Sequence, residues 1–142
     1  MTSRLLQPGW GQEGRRGNTM LNVDVVSAQD SGEVALLTVE SSEVSWEVEG
    51  QLMSRLKELT TEGHATRVVI DLSRVTFLGS VGIGILLRAS KLVCAVNAKL
   101  VLAGLAGHCR NVLEVCGLEK VFVLHEDVSS ALKAFRRVTG RA

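Results

Sequence analysis

The chain has no tyrosine, a single proline, three histidines and three cysteines in 142 residues. His64, His108 and His125 are far apart and make no ligand spacing, so each reads as a surface or capping residue. Cys94, Cys109 and Cys116 include no Cys-x-x-Cys pair. An odd cysteine count fits free, reduced thiols better than a disulfide framework. With no histidines beside them they read as small buried side chains, not zinc ligands, and no metal or cofactor is expected. A charge excess of one sign is also missing, since 16 basic residues stand against 15 acidic ones. Nucleic-acid binding draws on a basic excess gathered on one face, so that class is set aside. No apolar run is long enough to cross a bilayer, and residues 1–19 hold no apolar run of the length a secretory leader needs. A soluble, cytoplasmic protein is expected.

What the sequence does have is 46% hydrophobic residues, enough for one real core. Residues 1–19 hold four of the 14 glycines, the only proline and no apolar period. They carry Arg4, Arg15 and Arg16 against Glu13, a local +2. A flexible tail is expected there, followed by a single domain over 20–142.

From residue 20 the pattern is regular. Val23, Val25 and Val26 suggest a strand, Asp30-Ser31-Gly32 is turn chemistry, and 34–39 is a second strand, so a hairpin is expected. Ser41-Ser42-Glu43 reads as a helix start. Val44, Val48, Leu52, Leu56 and Leu59 then form one apolar stripe, with Gly63 ending the segment. Residues 67–72 are a short, continuously apolar strand of the kind covered on both faces. Helices are expected over 80–96, over 109–116 with Gly117 as C-cap, and over 127–138 with Val128, Leu132 and Phe135 facing inward. Strands are expected over 99–103 and 121–124. The order β-β-α-β-α-β-α-β-α implies parallel βαβ units behind an N-terminal hairpin, an α/β fold with helices packed on a mixed sheet.

The stretch richest in chemistry runs from Asp71 through Ser73, Thr76, Phe77, Leu78, Gly79, Ser80, Val81, Gly82 and Ile83 to Gly84. It joins a core strand to a helix, whose start exposes unpaired N–H groups and a positive dipole end. Gly79, Gly82 and Gly84 give G-x-x-G-x-G, the reverse of the dinucleotide spacing, and no Gly-Lys-Ser/Thr follows. Ser80 is directly preceded by Gly79, which is not the G-x-S-x-G flank of a nucleophilic serine. Ser80 reads instead as an N-cap, and Asp71 as a cap on the turn that follows it. No acid, base, metal or phosphate-loop constellation is present, so no enzyme is expected. Trp46, at the head of the first helix, reads equally as core or as interface.

These residues carry a resemblance. Asp71-Leu72-Ser73, Val75, Phe77, Ser80, Gly82, Gly84 and Leu86-Leu87 resemble the signature of STAS domains, in particular the anti-sigma factor antagonists. The segments 111–122, ending Gly117-Leu118 then Phe122, and 126–132 resemble the close of the same family, so the likeness covers about residues 20–138. It implies a protein-binding regulatory module whose partner is an anti-sigma factor that is also a serine kinase. It also implies a phosphoserine switch at the start of the second helix, in the pattern Asp-Ser-Ser-Gly-Leu-Gly. Here Gly79 stands in place of the Asp, and Val81 in place of the acceptor serine. Valine has no hydroxyl, so the usual switch cannot operate at 81; phosphorylation of Ser80 is the remaining alternative. The segment from Glu40 to Trp46 also departs from the family's Gly-x-Leu/Ile-Asp. The expected partner-binding residues are Thr76, Leu78, Gly79, Ser80, Val81, Gly82 and Ile83. Two roles follow: a sigma-regulatory antagonist, or a STAS adaptor subunit of another assembly, such as a lipid/ABC transporter complex or a stressosome-like scaffold.

Overall fold

The computed structural model describes residues 21–28, 32–62 and 66–141. The tail 1–19, Asp30, Ser31, Gly63 and His64 lie outside the described residues.

Strand β1 (Leu21–Ala28) pairs antiparallel with β2 (Gly32–Val39), in register from Leu21 opposite Val39 to Ala28 opposite Gly32. Helix α1 (Trp46–Lys57) ends in one π-helical turn (Glu58–Glu62) and leads to β3 (Arg67–Asp71). Then come α2 (Ser80–Ala95), β4 (Lys99–Ala103), α3 (Gly107–Val115), a 3-10 turn (Leu118–Lys120), β5 (Val123–His125) and α4 (Val128–Arg141). The sheet order is β1-β2-β3-β4-β5, parallel from β2 onward.

Each crossover from β2 to β5 steps one strand in the same direction. Right-handed connections therefore lay α1, α2 and α3 on one face. Under them sits the main core, with Leu37, Leu52, Leu56, Ile70, Leu72, Ile85, Leu86, Leu102 and Leu113 fully buried. Each such side chain contributes about 1.5–3 kcal/mol relative to exposure. Helix α4 covers the other face, where Ala131 and Phe135 pack on Val34, Val69, Val101 and Ala103. Central β3 is covered on both sides, and for this reason Val68, Val69 and Ile70 form an unbroken apolar run.

The structure moves several expected boundaries: α3 begins at Gly107 and not at Cys109, α4 runs on to Arg141, and two further shifts have a visible cause. The first helix starts at Trp46, not at Ser41-Ser42-Glu43. The Ser42 carbonyl accepts the N–H groups of Thr76 and Phe77, and Glu43 bridges to Phe77, which holds the segment out of helical geometry. Val44 is buried from a loop, and the helical stripe runs through Val48, Leu52 and Leu56. The last strand begins at Val123, because the N–H groups of Val121 and Phe122 both donate to the Leu118 carbonyl and turn the chain there. Gly117 does sit just beyond α3 with φ +74 and donates to the Glu114 carbonyl at 3.0 Å, as a left-handed C-cap requires.

Among the described residues no helix is long and apolar enough to cross a membrane.

Candidate functional site

The site is assembled where β3 hands over to α2. The Asp71 carboxylate accepts the Ser73 N–H at 3.0 Å and turns the chain. The Leu72 N–H donates to the Ala103 carbonyl at 2.8 Å, so the turn stays docked on β4. Gly104 makes this approach possible, since it has φ +80 and a Cβ there would lie 2.9 Å from Ser73 Cβ.

The chain then crosses to the segment before α1. Thr76 and Phe77 donate their N–H groups to the Ser42 carbonyl at 2.7 and 3.2 Å. The His108 ring reaches the Thr76 carbonyl from α3. Cys109 is buried behind Val75, and its burial pushes the thiol pKa up, as for an inert core thiol. A salt bridge at 2.7 Å from Arg88 to Glu49 ties α2 to α1.

Two loops are thus stitched together around the first turn of α2. Its N-cap is Gly79, in extended backbone with no side chain bonding the helix N–H groups. Ser80 is the first helical residue and not the expected cap, because the turn closes one residue earlier, with the Ile83 N–H on the Gly79 carbonyl at 2.9 Å. The first N–H groups of the helix therefore have no capping side chain. Gly82 is pressed against the neighbouring loop; a Cβ there would lie 3.0 Å from Leu78 Cδ1 and 3.1 Å from the Val44 carbonyl oxygen.

Around this turn the surface is apolar. Trp46 is 78% exposed, Phe77 59% and Val81 57%. With Glu43, Val44 and Ser45 they line a groove of about 280 Å³ whose floor is Gly79, Ser80 and Gly82. Large apolar groups left in water beside one another mark interaction surfaces.

Of the seven expected site residues, Gly79, Ser80, Val81 and Gly82 line this groove. Thr76 is exposed but does not line it; its hydroxyl lies 3.4 Å from the Ser42 carbonyl. Leu78 is 4% exposed and belongs to the core, so its side chain offers nothing to a partner. Ile83 is half-buried against the same core. Sequence reasoning left Phe77 out of the site and did not connect Trp46 to it. The signal for Trp46 lay in the helix period: the stripe through Val48, Leu52 and Leu56 leaves position 46 on the outward side. Phe77 carried no such signal, because pairing with the distant segment Ser42-Glu43 holds it at the surface. Of the three free cysteines only Cys109 is buried; Cys94 and Cys116 are exposed, against the expectation that all three are core.

The family model described as "STAS domain" matches residues 26–131. BtrV of Bordetella bronchiseptica, named as a candidate anti-sigma factor antagonist, is 32% identical over 91 residues, 64% of this chain and 78% of that protein. The solved structure of an anti-sigma factor antagonist (STAS) domain protein from Planctomyces limnophilus is 26% identical, with TM-score 0.62 over 80% of this chain and 97% of that one. A sulfate transporter family protein from Wolinella succinogenes shares the fold, with TM-score 0.66 at 15% identity over 77% of this chain and 88% of that one.

Proposed function

The chain belongs to the STAS domain family, and we propose that within it the protein acts as an anti-sigma factor antagonist, binding an anti-sigma factor of the serine-kinase class through the groove at the start of α2. The observation that carries this reading is the exposed trio Trp46, Phe77 and Val81 around an uncapped helix start. Apolar groups at the rim suit a dry contact, and the free N–H groups suit a partner's carbonyl or side-chain oxygen. The 32% identity to BtrV favours the antagonist role over others that use the same fold. No catalytic step is assigned to the chain.

The regulatory consequence follows from Val81. A phosphate there would add about −2 charge and a hydrated group to a dry interface. Valine offers no acceptor oxygen, so the complex does not respond to the kinase's own activity through position 81. Binding is constitutive with respect to that residue.

The test is titration of the chain with a purified kinase-type anti-sigma factor from the same genome, with and without ATP. Saturable binding, unchanged by ATP and with position 81 unmodified, is the expected result. Val81→Asp keeps the fold, because a carboxylate is tolerated in a helix's first turn, and weakens the complex by at least about tenfold. Full binding by a folded Val81→Asp protein would move the interface elsewhere. Stoichiometric phosphorylation of Ser80 with loss of binding would mean that the switch had shifted by one residue. Binding to a transporter ATPase or a scaffold STAS protein, in place of the kinase, would favour the adaptor role.

A further inference from the structure

The peptide unit between Thr76 and Phe77 is held at both of its ends by segments distant in sequence. A peptide unit is planar, so holding its carbonyl and its N–H together sets where the next Cα lies and narrows the directions its side chain can take. At one end, the Phe77 N–H donates to the Ser42 carbonyl at 3.2 Å. That oxygen is shared, because the Thr76 N–H donates to it at 2.7 Å and the Thr76 hydroxyl lies 3.4 Å from it. A carbonyl oxygen has two lone pairs, so the Phe77 N–H, at the longer distance, is held less firmly than that of Thr76. At the other end, the Thr76 carbonyl meets Nε2 of His108, in the first turn of α3. A carbonyl only accepts, so the ring presents Nε2–H to it.

The core places α3 for this contact. Cys109, directly after His108, is wholly buried, with its Sγ 4.0 Å from the Val75 carbonyl. Its burial seats the first turn of α3 on the loop, while His108 stays at the surface over Thr76. The two residues after the clamped carbonyl then part company: Phe77 is exposed and Leu78 is buried.

We infer that His108 is a positioning residue for the groove at the start of α2: its Nε2–H locks the Thr76–Phe77 peptide unit and so sets the outward pose of Phe77 before a partner arrives. The role rests on the reading of that groove as the partner's seat, and extends it to a residue that does not line the groove. Both bonded groups are exposed, so water takes the place of either when the other is lost, and the contact adds little to stability. Its effect falls on order. A side chain that must be fixed on binding costs free energy at that moment, and a Phe77 already held in place avoids the cost.

The experiment compares three full-length variants that differ in what they offer the Thr76 carbonyl. His108→Gln carries amide N–H donors, His108→Glu has nearly the same shape with acceptor oxygens only, and His108→Ala offers nothing. Nitrogen-15 relaxation of the free protein reports the order of the Phe77 amide, and titration with the kinase-type anti-sigma factor reports affinity. All three variants are expected to melt within a few degrees of the parent protein. The Phe77 order parameter stays near about 0.85 in the parent and in His108→Gln, and falls toward about 0.6 in the other two. Affinity follows the same division: His108→Gln binds within about twofold of the parent, and His108→Glu and His108→Ala at least about fivefold more weakly. A Phe77 amide that stays rigid in all three overturns the inference, as does one that loosens with no change of affinity. Equal loss of affinity in His108→Gln would mean that the ring touches the partner itself, and a large drop in the melting point of both His108→Gln and His108→Ala would make the contact merely structural; either result overturns the positioning role. If the parent protein does not bind the kinase-type factor, the partner reading fails and the relaxation data alone decide whether His108 clamps Phe77.

Discussion

Helices α2 and α4 both begin after a strand of the same sheet, and they begin in opposite ways. At α4 the residue before the helix is Asp127, whose carboxylate accepts the Ser130 N–H at 2.8 Å while its carbonyl accepts from Ala131 at 3.2 Å. That is a complete N-cap, of the kind that stabilises a helix locally. At α2 the cap is Gly79 and no side chain bonds the helix. Three large apolar side chains stand in solvent around it. The α4 start is arranged for its own stability. The α2 start leaves donors and apolar area unused in the free chain, which is what a surface looks like when its partner is another molecule.

The contrast breaks most sharply at Trp46. Trp46 is 78% exposed, so Trp46→Ala leaves the melting transition unchanged, whereas loss of an aromatic anchor from a protein interface costs about 2–4 kcal/mol. Calorimetric titration against the proposed anti-sigma partner should show at least about a thirtyfold weaker complex. Equal affinity would remove Trp46 from the interface.

Next in size is Gly82→Val. The glycine lets α2 lie against the loop before α1, and a Cβ would meet the Val44 carbonyl oxygen at 3.1 Å and Leu78 Cδ1 at 3.0 Å. Backbone on one side and core on the other leave little room to yield. A loss of about 1–3 kcal/mol in denaturant unfolding is expected. An unchanged midpoint would mean that the two loops are not packed together as described.

Gly79→Asp sharpens the comparison by giving α2 the cap that α4 has. The backbone at Gly79 has φ −108 and ψ −169, which any residue adopts. A Cβ there lies 3.0 Å from the Phe77 ring, an exposed side chain free to turn aside. Replacing a glycine cap by aspartate gains only a few tenths of a kcal/mol. A stability gain together with weaker partner binding is expected. A gain with binding intact would show that the uncapped N–H groups do not contact the partner.

The architecture was open to sequence reasoning because periodicity reports burial directly. The run Val68-Val69-Ile70 suits a strand covered twice, and Gly117 suits the left-handed close of a helix; both are what the structure has. The site was less legible, because its parts come from segments about 35 residues apart. The hydrogen bonds from Thr76 and Phe77 to the Ser42 carbonyl have no local pattern, yet they turn an expected helix start at Ser41 into an extended segment. They also hold Phe77 at the surface while Leu78, its neighbour, goes into the core. Local rules gave the loop from Thr76 to Ile83 the right place in the fold but could not say which of its side chains face out.

The smallest effect is the pH-dependent part of the α4 cap. The Ser130 backbone N–H lowers the Asp127 carboxyl below the usual carboxylate value, with the Ser130 side chain next and the charges of Lys133 and His125 after it. A group whose pKa is depressed by folding favours the folded state when ionised. That contribution is fully present above the unfolded value of about 3.9 and is lost as pH falls through the lower folded value. Asp127→Ala should therefore melt below the parent protein at neutral pH, with the gap narrowing as the pH is taken below about 4. The carboxylate is fully exposed, so solvent screens its charge and the narrowing is modest. Melting curves of the two proteins across this range measure it. A gap that stays constant to the lowest pH would mean that the cap acts through hydrogen-bond geometry alone. A gap that widens in acid would contradict the Ser130 contact. The same series on Gly79→Asp reports whether a carboxylate at the α2 start is held by its own helix. A gain that fades below about 4, as the carboxylate protonates, would show the two helix starts to be interchangeable in free energy and different only in what the sequence leaves exposed around them.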